Sequence, residues 1–262
     1  MTVSKPLVGW RVLVPRGGPW GHEVAADLRA QGATPVVAPM INFAGTEDTP
    51  ALESALGKLA DGGFDWISVT SATTVDVLSA HRAVIPAHTR IAAVGETTAA
   101  ALLAAGFRVD FVPAADNSAR GLLDEWKDVT ESSVPQRILA LRSDIARPVL
   151  TDGLRARGHE VEAVVAYRTV GVPVDDAIRS DVANGRFRAV FVTSGSVAVQ
   201  VHEQFGLIPQ ETLVVCIGPR TAADARANGL RVDLVAAERS ASSLIDALLA
   251  VAAKEAPEAD EW

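Results

Sequence analysis

Glycines and hydroxyl-bearing residues end several apolar segments of this chain, and residues of these types can bind an anion. Thr70-Ser71 and Thr193-Ser194 each follow a short apolar run, and glycines follow two other runs. Each position also opens a segment with helical spacing, where the N–H groups of a helix N-terminus attract carboxylates or phosphates. The candidate ligand-binding residues are Arg16, Ser71, Gly95, Thr98, Arg142, Ser194, Gly195, Ser196, Gly218 and Thr221.

The clearest of these segments is 213–226, LVVCIGPRTAADAR, in which an apolar run ends and Gly218 breaks it. We expect Thr221 to cap the helix that follows, with Asp224 as its capping-box partner three residues later. Segment 90–102, RIAAVGETTAAAL, has the same order, and Thr98 takes the place of Thr221. The two threonines are therefore candidates for helix caps, for ligand contacts, or for both.

Structural roles compete with ligand binding at the other candidates too. The recurrence of Ser71 and Ser194 at matching strand ends favours ligand contact as their role. Helix capping is the alternative. Arg16 and Arg142 also follow matching strands, which favours pairing with carboxylates over a role as solvated turn residues. Tyr167 is the only tyrosine of the chain. By pattern alone it is a half-buried strand aromatic with its hydroxyl at the surface.

Several familiar chemistries lack their sequence signatures here. The glycine-rich turn 16–21, RGGPWG, is not G-x-G-x-x-G, and no G-x-x-x-x-G-K-[ST] loop occurs. Ser194 lies in TSGS and not in the G-x-S-x-G turn of hydrolases. The five histidines are scattered without metal-ligand spacing. We therefore expect neither a metal nor a cofactor.

The chain contains an internal duplication. Segments 64–71 (FDWISVTS) and 187–194 (FRAVFVTS) are 123 residues apart, and the same offset joins the two glycine turns just described. A second unit pairs 11–16 (RVLVPR) with 137–142 (RILALR) at an offset of 126 residues. The order is therefore A, B, A′, B′. Because this period is too long for a solenoid, we expect two similar domains.

Strand and helix patterns alternate along the chain, which predicts α/β domains with parallel sheets covered on both faces. Segment 34–43 is extended but holds Pro35 and Pro39, which favours an edge strand or a connecting segment. Its counterpart, 159–172, is a second long extended stretch. Helices are predicted at 22–30, 49–58, 175–182 and 241–254. Strands are predicted at Trp10–Pro15, Trp66–Thr70, Ile91–Val94, Val109–Val112, Ile138–Leu141, Ala189–Val192, Leu213–Ile217 and Val232–Val235.

Bulk composition narrows the function classes further. A chain of 262 residues with 48% hydrophobic residues is long enough for two domains with proper cores. A net charge of −8 argues against nucleic acid as a partner. No apolar run approaches the roughly 18 residues of a membrane span, and no signal-peptide pattern opens the sequence. The single cysteine, Cys216, excludes an internal disulfide, so we expect a core residue and a cytoplasmic protein.

Taken together, these motifs resemble those of uroporphyrinogen-III synthase over roughly residues 7–253. The resemblance rests on the Thr-Ser strand ends, the paired glycine turns, LRS at 141–143 and above all VAYRT at 165–169. It implies two flavodoxin-like parallel-sheet domains joined by a two-stranded linker, with A paired to B′ and B to A′. The ligand cleft would lie between Thr98 and Thr221. The implied domains are 1–37 with 173–262 and 44–166, and the implied linkers are about 38–43 and 167–172.

The reaction implied by the resemblance closes hydroxymethylbilane, a linear tetrapyrrole, to uroporphyrinogen III with inversion of ring D and loss of water. The carboxylates of this substrate suit a site lined with N–H and hydroxyl donors. A linker tyrosine of the family is the candidate to assist departure of the terminal hydroxyl, and its match here is Tyr167. The resemblance also implies a monomer that needs no cofactor and receives its substrate from hydroxymethylbilane synthase.

Two other function classes stay open. One is a non-catalytic sensor, in which a domain of this shape binds a tetrapyrrole or another polyanion and regulates a partner. The other is a two-lobed small-molecule binding protein, whose secreted form is expected to carry a signal peptide. Binding without product formation would identify the sensor.

Overall fold

The computed structural model describes residues 5–129 and 134–255 of the chain. Strands and helices alternate through both ranges, as the apolar patterns predict. The first half contains β1 (Arg11–Val14), α1 (Gly18–Ala30), β2 (Thr34–Val37), β3 (Ile41–Gly45), α2 (Thr49–Ala60), β4 (Trp66–Val69), α3 (Ala72–Ala80), β5 (Arg90–Ala93), α4 (Glu96–Ala104) and α5 (Ala119–Val129). The second half contains β6 (Arg137–Ser143), α6 (Val149–Ala156), β7 (Glu160–Gly171), α7 (Asp176–Ala183), β8 (Ala189–Val192), α8 (Gly195–Phe205), β9 (Leu213–Cys216), α9 (Pro219–Ala227), β10 (Leu234–Val235) and α10 (Ala241–Glu255).

The chain divides into two compact units, and each is built around one sheet. The first unit combines Met1–Asn42 with Val170–Trp262. The second unit is the contiguous segment Phe43–Thr169. The chain therefore passes from one unit to the other twice, once within β3 and once within β7.

The first unit holds a sheet with the strand order β10-β9-β8-β1-β2. Every neighbouring pair in it is parallel. Numbered within the unit, the order is 5-4-3-1-2, which is the order of flavodoxin-like sheets. Such strands need apolar side chains on both faces, and β8 is buried at all four of its positions.

The sheet of the second unit has the strand order β3-β7-β6-β4-β5. Its strands β7, β6, β4 and β5 run parallel and occupy the positions that β2, β1, β8 and β9 have in the first sheet. A single bridge from Ala92 to Phe111 stands where β10 pairs in the first unit. The strand β3 lies at the edge beside β7 and has no counterpart among the described strands of the first sheet. The two units thus share one topology in circularly permuted chain order.

Strand register confirms the duplication predicted from the sequence. In the first unit Val12 pairs with Ala189, and in the second Ile138 pairs with Trp66. These four positions are related by the same offsets, 126 residues for the A segments and 123 for the B segments. The pairing of A with B′ and of B with A′ is confirmed as well.

Most predicted strands lie within two residues of the observed ones, but one prediction was wrong. Segment 34–43 agrees with its prediction, because it forms β2 at the edge of the first sheet and continues into β3 at the edge of the second. Segment 109–112 forms no strand beyond the bridge at Phe111. There the carboxylate of Asp110 accepts the Ile91 N–H at 2.7 Å, a donor that a longer ladder would use.

Among the helices, only α1 departs clearly from its predicted start, which was residue 22. It begins four residues earlier, at Gly18, because Pro19 occupies one of its first positions. Proline is favoured there, since its fixed φ suits the helix and its missing N–H costs no hydrogen bond.

Hydrophobic side chains cover both faces of each sheet. In the second unit the rings of Trp66 and Trp126 pack with centroids 5.0 Å apart on one face. In the first unit Phe191 lies on one face and Phe187 on the other. Cys216 is a fully buried core residue, as predicted, and belongs to the same cluster as Phe187. Burial raises the pKa of its thiol to about 11.

The helices of the described residues are short. The longest of them, α10, has 15 residues. No helix within residues 5–129 and 134–255 is long and apolar enough to cross a lipid bilayer.

Candidate functional site

The predicted ligand-binding residues fall at one edge of each sheet, which we call the donor edge. Parallel neighbouring strands end at the same edge, and the candidates follow those strand ends. The donor edge of the first unit carries Arg16, Ser194, Gly195, Ser196, Gly218 and Thr221. The donor edge of the second unit carries Ser71, Gly95, Thr98, Arg142 and Tyr167. The structure thus brings the candidates together as two sets, one in each unit.

Ser71 and Ser194 are the N-caps of α3 and α8. Ser71 Oγ accepts the N–H of Thr74 at 3.3 Å, and Ser194 Oγ accepts the N–H of Val197 at 3.2 Å. The capping alternative considered for these serines is therefore confirmed. Each cap fixes a helix N-terminus at the donor edge, where the partial positive charge of the helix favours a carboxylate.

The predicted capping role of Thr98 and Thr221 was wrong. The N-cap positions of α4 and α9 are Gly95 and Gly218, and neither makes a side-chain cap hydrogen bond. Both threonines lie three residues further on, with only 5% and 7% of their surface exposed. With glycine at the cap, the backbone N–H groups of the first helical turn are left to water or to a ligand.

The predicted capping-box partner, Asp224, has a different neighbour. A Cβ placed on Gly195 would lie 2.9 Å from Asp224 Oδ2, so a side chain at that position would press against the carboxylate. Glycine therefore lets α9 approach the N-terminus of α8 in the first unit.

The two candidate arginines differ in their surroundings. The guanidinium of Arg16 lies 5.1 Å from the centre of the Trp20 ring, a cation–π contact. Arg142 instead donates from Nη1 to the carbonyl oxygen of Ala146 at 2.9 Å. Its buried Nε has no hydrogen-bond partner among the described residues. Arg142 thus keeps hydrogen-bonding capacity at the donor edge of the second unit.

Tyr167 is more deeply buried than the sequence pattern indicates. Only 7% of its surface is exposed, and the ring packs edge-on against Phe43 with centroids 5.5 Å apart. Its hydroxyl lies 2.9 Å from Ser71 Oγ. The register opposes Tyr167 to Ser143 at the carboxyl end of β6, so the hydroxyl belongs to the donor edge of the second unit.

Thr74 is a neighbour of this site that the sequence interpretation missed. Its side chain is fully buried, and its Oγ1 lies 3.1 Å from Ser71 Oγ. The duplication contains a signal that could have found it, because the equivalent residue 123 positions later is Val197. Only the copy beside Tyr167 has a hydroxyl at this place.

Asp144 is a second missed residue, and it orders the chain near Tyr167. Its Oδ1 accepts hydrogen bonds from the Ser143 hydroxyl at 2.8 Å, the Ile145 N–H at 2.9 Å and the Thr169 N–H at 3.0 Å. Burial opposes ionisation of this carboxyl, but the hydrogen bonds outweigh it and hold its pKa below the ordinary value. Asp144 is therefore a charged anchor between the end of β6 and the end of β7.

Residues of metal-binding type are dispersed in the part of the chain that the structure describes. No group of three or more His, Cys, Asp or Glu side chains there is close enough to hold a metal ion. His159 has a structural hydrogen bond instead, since its Nδ1 accepts the N–H of Gln136 at 3.2 Å.

Comparison with known families decides which proteins this chain is related to. The family model described as uroporphyrinogen-III synthase HemD matches residues 22–246, which include every candidate residue except Arg16. The chain belongs to the uroporphyrinogen-III synthase family. The resemblance seen in the sequence motifs is thereby confirmed.

Curated relatives of the family are similar to the chain over much of its length. Porphyrin biosynthesis protein HemD of Ruminiclostridium josui is 28% identical over 95% of this chain and 50% of its own length. Uroporphyrinogen-III synthase of Synechococcus elongatus is 29% identical over 63% of each chain. The chain therefore spans about half to two thirds of the length of these two relatives.

Solved structures of the family share the fold. A mutant uroporphyrinogen III synthase from Thermus thermophilus superposes with a TM-score of 0.65 at 19% identity, covering 94% of this chain and all of the other. The synthetase from Helicobacter pylori gives a TM-score of 0.63 at 17% identity, covering 92% and 99% of the two chains. This likeness supports the two-sheet α/β architecture.

Proposed function

We propose that this protein is a uroporphyrinogen-III synthase, which closes hydroxymethylbilane to uroporphyrinogen III with inversion of ring D and loss of water. The reaction serves tetrapyrrole biosynthesis, the source of haem, sirohaem and cobalamin. The observation that carries the proposal is the family match over residues 22–246, which contains Tyr167 and the donor edge of the second unit. Two relatives that match the chain carry a porphyrin-biosynthesis and a uroporphyrinogen-III synthase name.

The donor edges fit the chemistry of this substrate. Hydroxymethylbilane carries several carboxylates, and each can accept hydrogen bonds from backbone N–H groups at a helix N-terminus. Gly95 and Gly218 leave such N–H groups uncapped in the two units. A hydrogen bond to a charged group contributes about 1.5–3 kcal/mol, so a few of them hold the substrate without a strongly basic site.

Arginine adds charge at two places. We assign carboxylate pairing to Arg142 and Arg16, at the ends of the equivalent strands β6 and β1. Arg142 has the better-prepared side chain, because its Nη1 is already held by Ala146 while its Nε has no partner among the described residues. Charge-assisted pairs of this kind are shorter and stronger than neutral hydrogen bonds.

Tyr167 is the proposed catalytic residue. The terminal hydroxyl of the substrate leaves with its bonding electrons and takes a proton from the phenol, so that it departs as water. The cationic carbon left behind bonds to the ring D carbon that already carries a methylene bridge, and the bond from that carbon to the old bridge then breaks. The freed methylene bonds to the open pyrrole carbon of ring D, which inverts the ring and releases one proton that restores the tyrosine. General acid catalysis by a positioned side chain contributes about 10²–10⁴-fold to a rate.

Orientation of the substrate is the second part of the proposed catalysis. Hydroxymethylbilane also closes without enzyme, and that reaction gives isomer I, in which ring D is not inverted. The enzyme must therefore fix the geometry of the last ring as well as assist the leaving group. Holding reacting atoms in position accounts for a large share of many enzymatic rate enhancements.

Several finer points belong to the same proposal. We expect a monomeric cytoplasmic enzyme that needs no cofactor and takes its substrate from hydroxymethylbilane synthase. The proposed domain boundaries are those implied by the resemblance, 1–37 with 173–262 and 44–166, with linkers at about 38–43 and 167–172.

Product identity tests the proposed function. Hydroxymethylbilane is generated in situ, the purified protein is added, and the oxidised products are separated into uroporphyrin isomers I and III. We expect mostly isomer III with the protein and isomer I in the reaction without it. Isomer I alone in both reactions would overturn the proposal and favour a binding module of the same fold.

A further inference from the structure

We propose that Thr74 and Ser71 form a directed hydrogen-bond chain that points the Tyr167 proton away from the protein and toward the substrate. Thr74 Oγ1 lies 3.1 Å from Ser71 Oγ, which lies 2.9 Å from the Tyr167 hydroxyl. Ser71 and Thr74 are positioning residues in this account, and Tyr167 is the group that meets the substrate. The catalytic part of the inference rests on the proposed function.

The donor direction of these hydrogen bonds follows from the burial of the Thr74 hydroxyl. Its side chain is fully buried, so its hydroxyl hydrogen has to be donated within the protein. Within the described residues, Ser71 Oγ is the partner of this hydroxyl. Thr74 therefore donates and Ser71 accepts.

The donor direction of the hydrogen bond between Ser71 and Tyr167 is then fixed as well. A serine hydroxyl has two lone pairs and one hydrogen. One lone pair accepts the Thr74 N–H at 3.3 Å, a donor that it shares with the Ser71 carbonyl oxygen at 3.1 Å. The other lone pair accepts the Thr74 hydroxyl. The hydrogen of Ser71 must go to the Tyr167 oxygen, which leaves the phenol hydrogen for a ligand. No position on the Ser71 hydroxyl is left to bind substrate directly.

The internal duplication supplies an independent argument. In the first unit the equivalent cap, Ser194, lies 2.9 Å from the hydroxyl of Ser196, and Val197 takes the place of Thr74. A helix with the same serine cap therefore folds with valine at this position. The hydroxyl of Thr74 is not required by the fold of the repeat, and it is present in the unit that holds the only tyrosine.

Vibrational spectroscopy can determine, without any substrate, which of Ser71 and Tyr167 donates the hydrogen bond between them. The intensity ratio of the tyrosine Fermi doublet in Raman spectra excited off resonance distinguishes a phenol that accepts a hydrogen bond from one that donates it. Because the chain has a single tyrosine, the Tyr167→Phe protein is a complete blank. We expect the acceptor ratio in the wild-type protein. A donor ratio in the wild-type protein would overturn the proposal, whatever the variants do.

The Thr74→Val variant reverses the direction. Without the threonine hydroxyl, a lone pair of Ser71 becomes available to the Tyr167 hydrogen, and the hydrogen of the half-buried Ser71 hydroxyl can turn to water. We therefore expect the doublet to move to the donor ratio. The phenol proton then points at the protein, and kcat falls about tenfold, part of the general-acid contribution, while KM stays near the wild-type value. An unchanged doublet or an unchanged kcat in this variant would refute the directed hydrogen-bond chain.

Two further variants separate positioning from stability. Thr74→Ser keeps the hydroxyl, and we expect the wild-type doublet and kcat. Thr151→Val is the matched control, because Thr151 is also the third residue of a helix in the second unit and is also buried, with its hydroxyl donating to Pro148 at 3.0 Å. It loses stability but keeps the doublet and kcat. Equal kcat losses in Thr151→Val and Thr74→Val would reduce the role of Thr74 to packing.

Failure of this inference is distinguishable from failure of the proposed function. Formation of isomer I alone by the wild-type protein removes the synthase assignment, but the Raman doublet still reports the hydrogen-bond direction. Formation of isomer III together with a donor doublet keeps the synthase and removes the directed chain.

Discussion

Gly95 and Gly218 occupy equivalent places in the two repeats, yet their backbones differ. Gly95 has φ of 105°, a conformation that side chains rarely adopt, while Gly218 is extended with φ of 176°. A Cβ on Gly95 would also lie 3.2 Å from the Cβ of Asn117. Among the described residues, none outside the local backbone lies within 4 Å of a Cβ on Gly218. The two turns that the sequence pairs so closely therefore tolerate side chains differently.

Substitution of the two glycines by alanine should separate them. We expect Gly95→Ala to lower the free energy of unfolding by about 1–3 kcal/mol, the cost of a strained backbone conformation. Gly218→Ala should stay within about 1 kcal/mol of the wild type, because a weaker N-cap is offset by a less flexible unfolded chain. Urea unfolding of the two variants measures both values. Equal losses would show that the backbones do not differ as described.

Removal of the two serine caps gives a second matched pair. Ser194→Ala should lower the free energy of unfolding by about 1 kcal/mol, the usual value for an N-cap. Ser71→Ala should cost more, because the buried hydroxyls of Thr74 and Tyr167 lose their partner, at about 1–3 kcal/mol for an unsatisfied group. Thermal and urea unfolding would give the difference. A smaller loss in Ser71→Ala than in Ser194→Ala would contradict the hydrogen-bond chain.

Tyr167→Phe should lower turnover of hydroxymethylbilane by about 10²-fold or more, the range of general acid catalysis. Its free energy of unfolding should change by no more than about 1.5 kcal/mol, because one hydrogen bond is lost and the ring still packs on Phe43. The amount of isomer III formed at timed stops of the reaction gives the turnover. The midpoint of urea unfolding is the control that the variant is folded. Wild-type turnover in a folded variant would remove Tyr167 from the mechanism and leave the fold assignment intact.

Asp144 should contribute stability that depends on pH. Because hydrogen bonds hold its folded-state pKa below the ordinary value, its contribution is complete above the unfolded pKa of about 4. It is lost as the pH falls through the still lower folded-state pKa. The difference in free energy of unfolding between the wild type and Asp144→Asn should therefore be constant near neutrality and shrink below about pH 4. A difference that grows toward acid pH would have the wrong sign.

Cys216 should be inert in the folded protein. Its side chain is fully buried, and burial raises its pKa to about 11, so almost no thiolate exists at neutral pH. An aromatic disulfide reagent should release no chromophore from the native protein and one equivalent per chain in denaturant. Reaction of the native thiol faster than the protein unfolds would show that Cys216 is accessible.

Repetition in the sequence made much of the fold predictable. Offsets of 123 and 126 residues identify equivalent strands, and equivalent strands have equivalent register, as Val12 with Ala189 and Ile138 with Trp66 show. The repeats do not predict which segments share one sheet. Repeats alone allow A with B or A with B′, and only the family resemblance favoured the observed pairing.

The site was less predictable because its interactions depend on backbone angles and on distant contacts. Thr98 and Thr221 match a capping pattern, but the residue at the cap is set by where the strand ends, and that residue is glycine in both repeats. The hydrogen bond between Ser71 and Tyr167 joins residues 96 positions apart. Local periodicity carries no information about such a pair.

The position of β1 inside the first sheet, between β2 and β8, has a consequence during synthesis of the chain on the ribosome. Its partner β8 begins 175 residues after β1 ends. At about 5–20 residues per second, these residues take roughly 10–35 s to translate. The contiguous second unit is complete before β8 emerges. The apolar strand β1 can pair early with β2, but its other side stays uncovered until β8 is made. A nascent-chain chaperone that recognises short apolar strands would therefore have a long interval in which to bind residues 11–14.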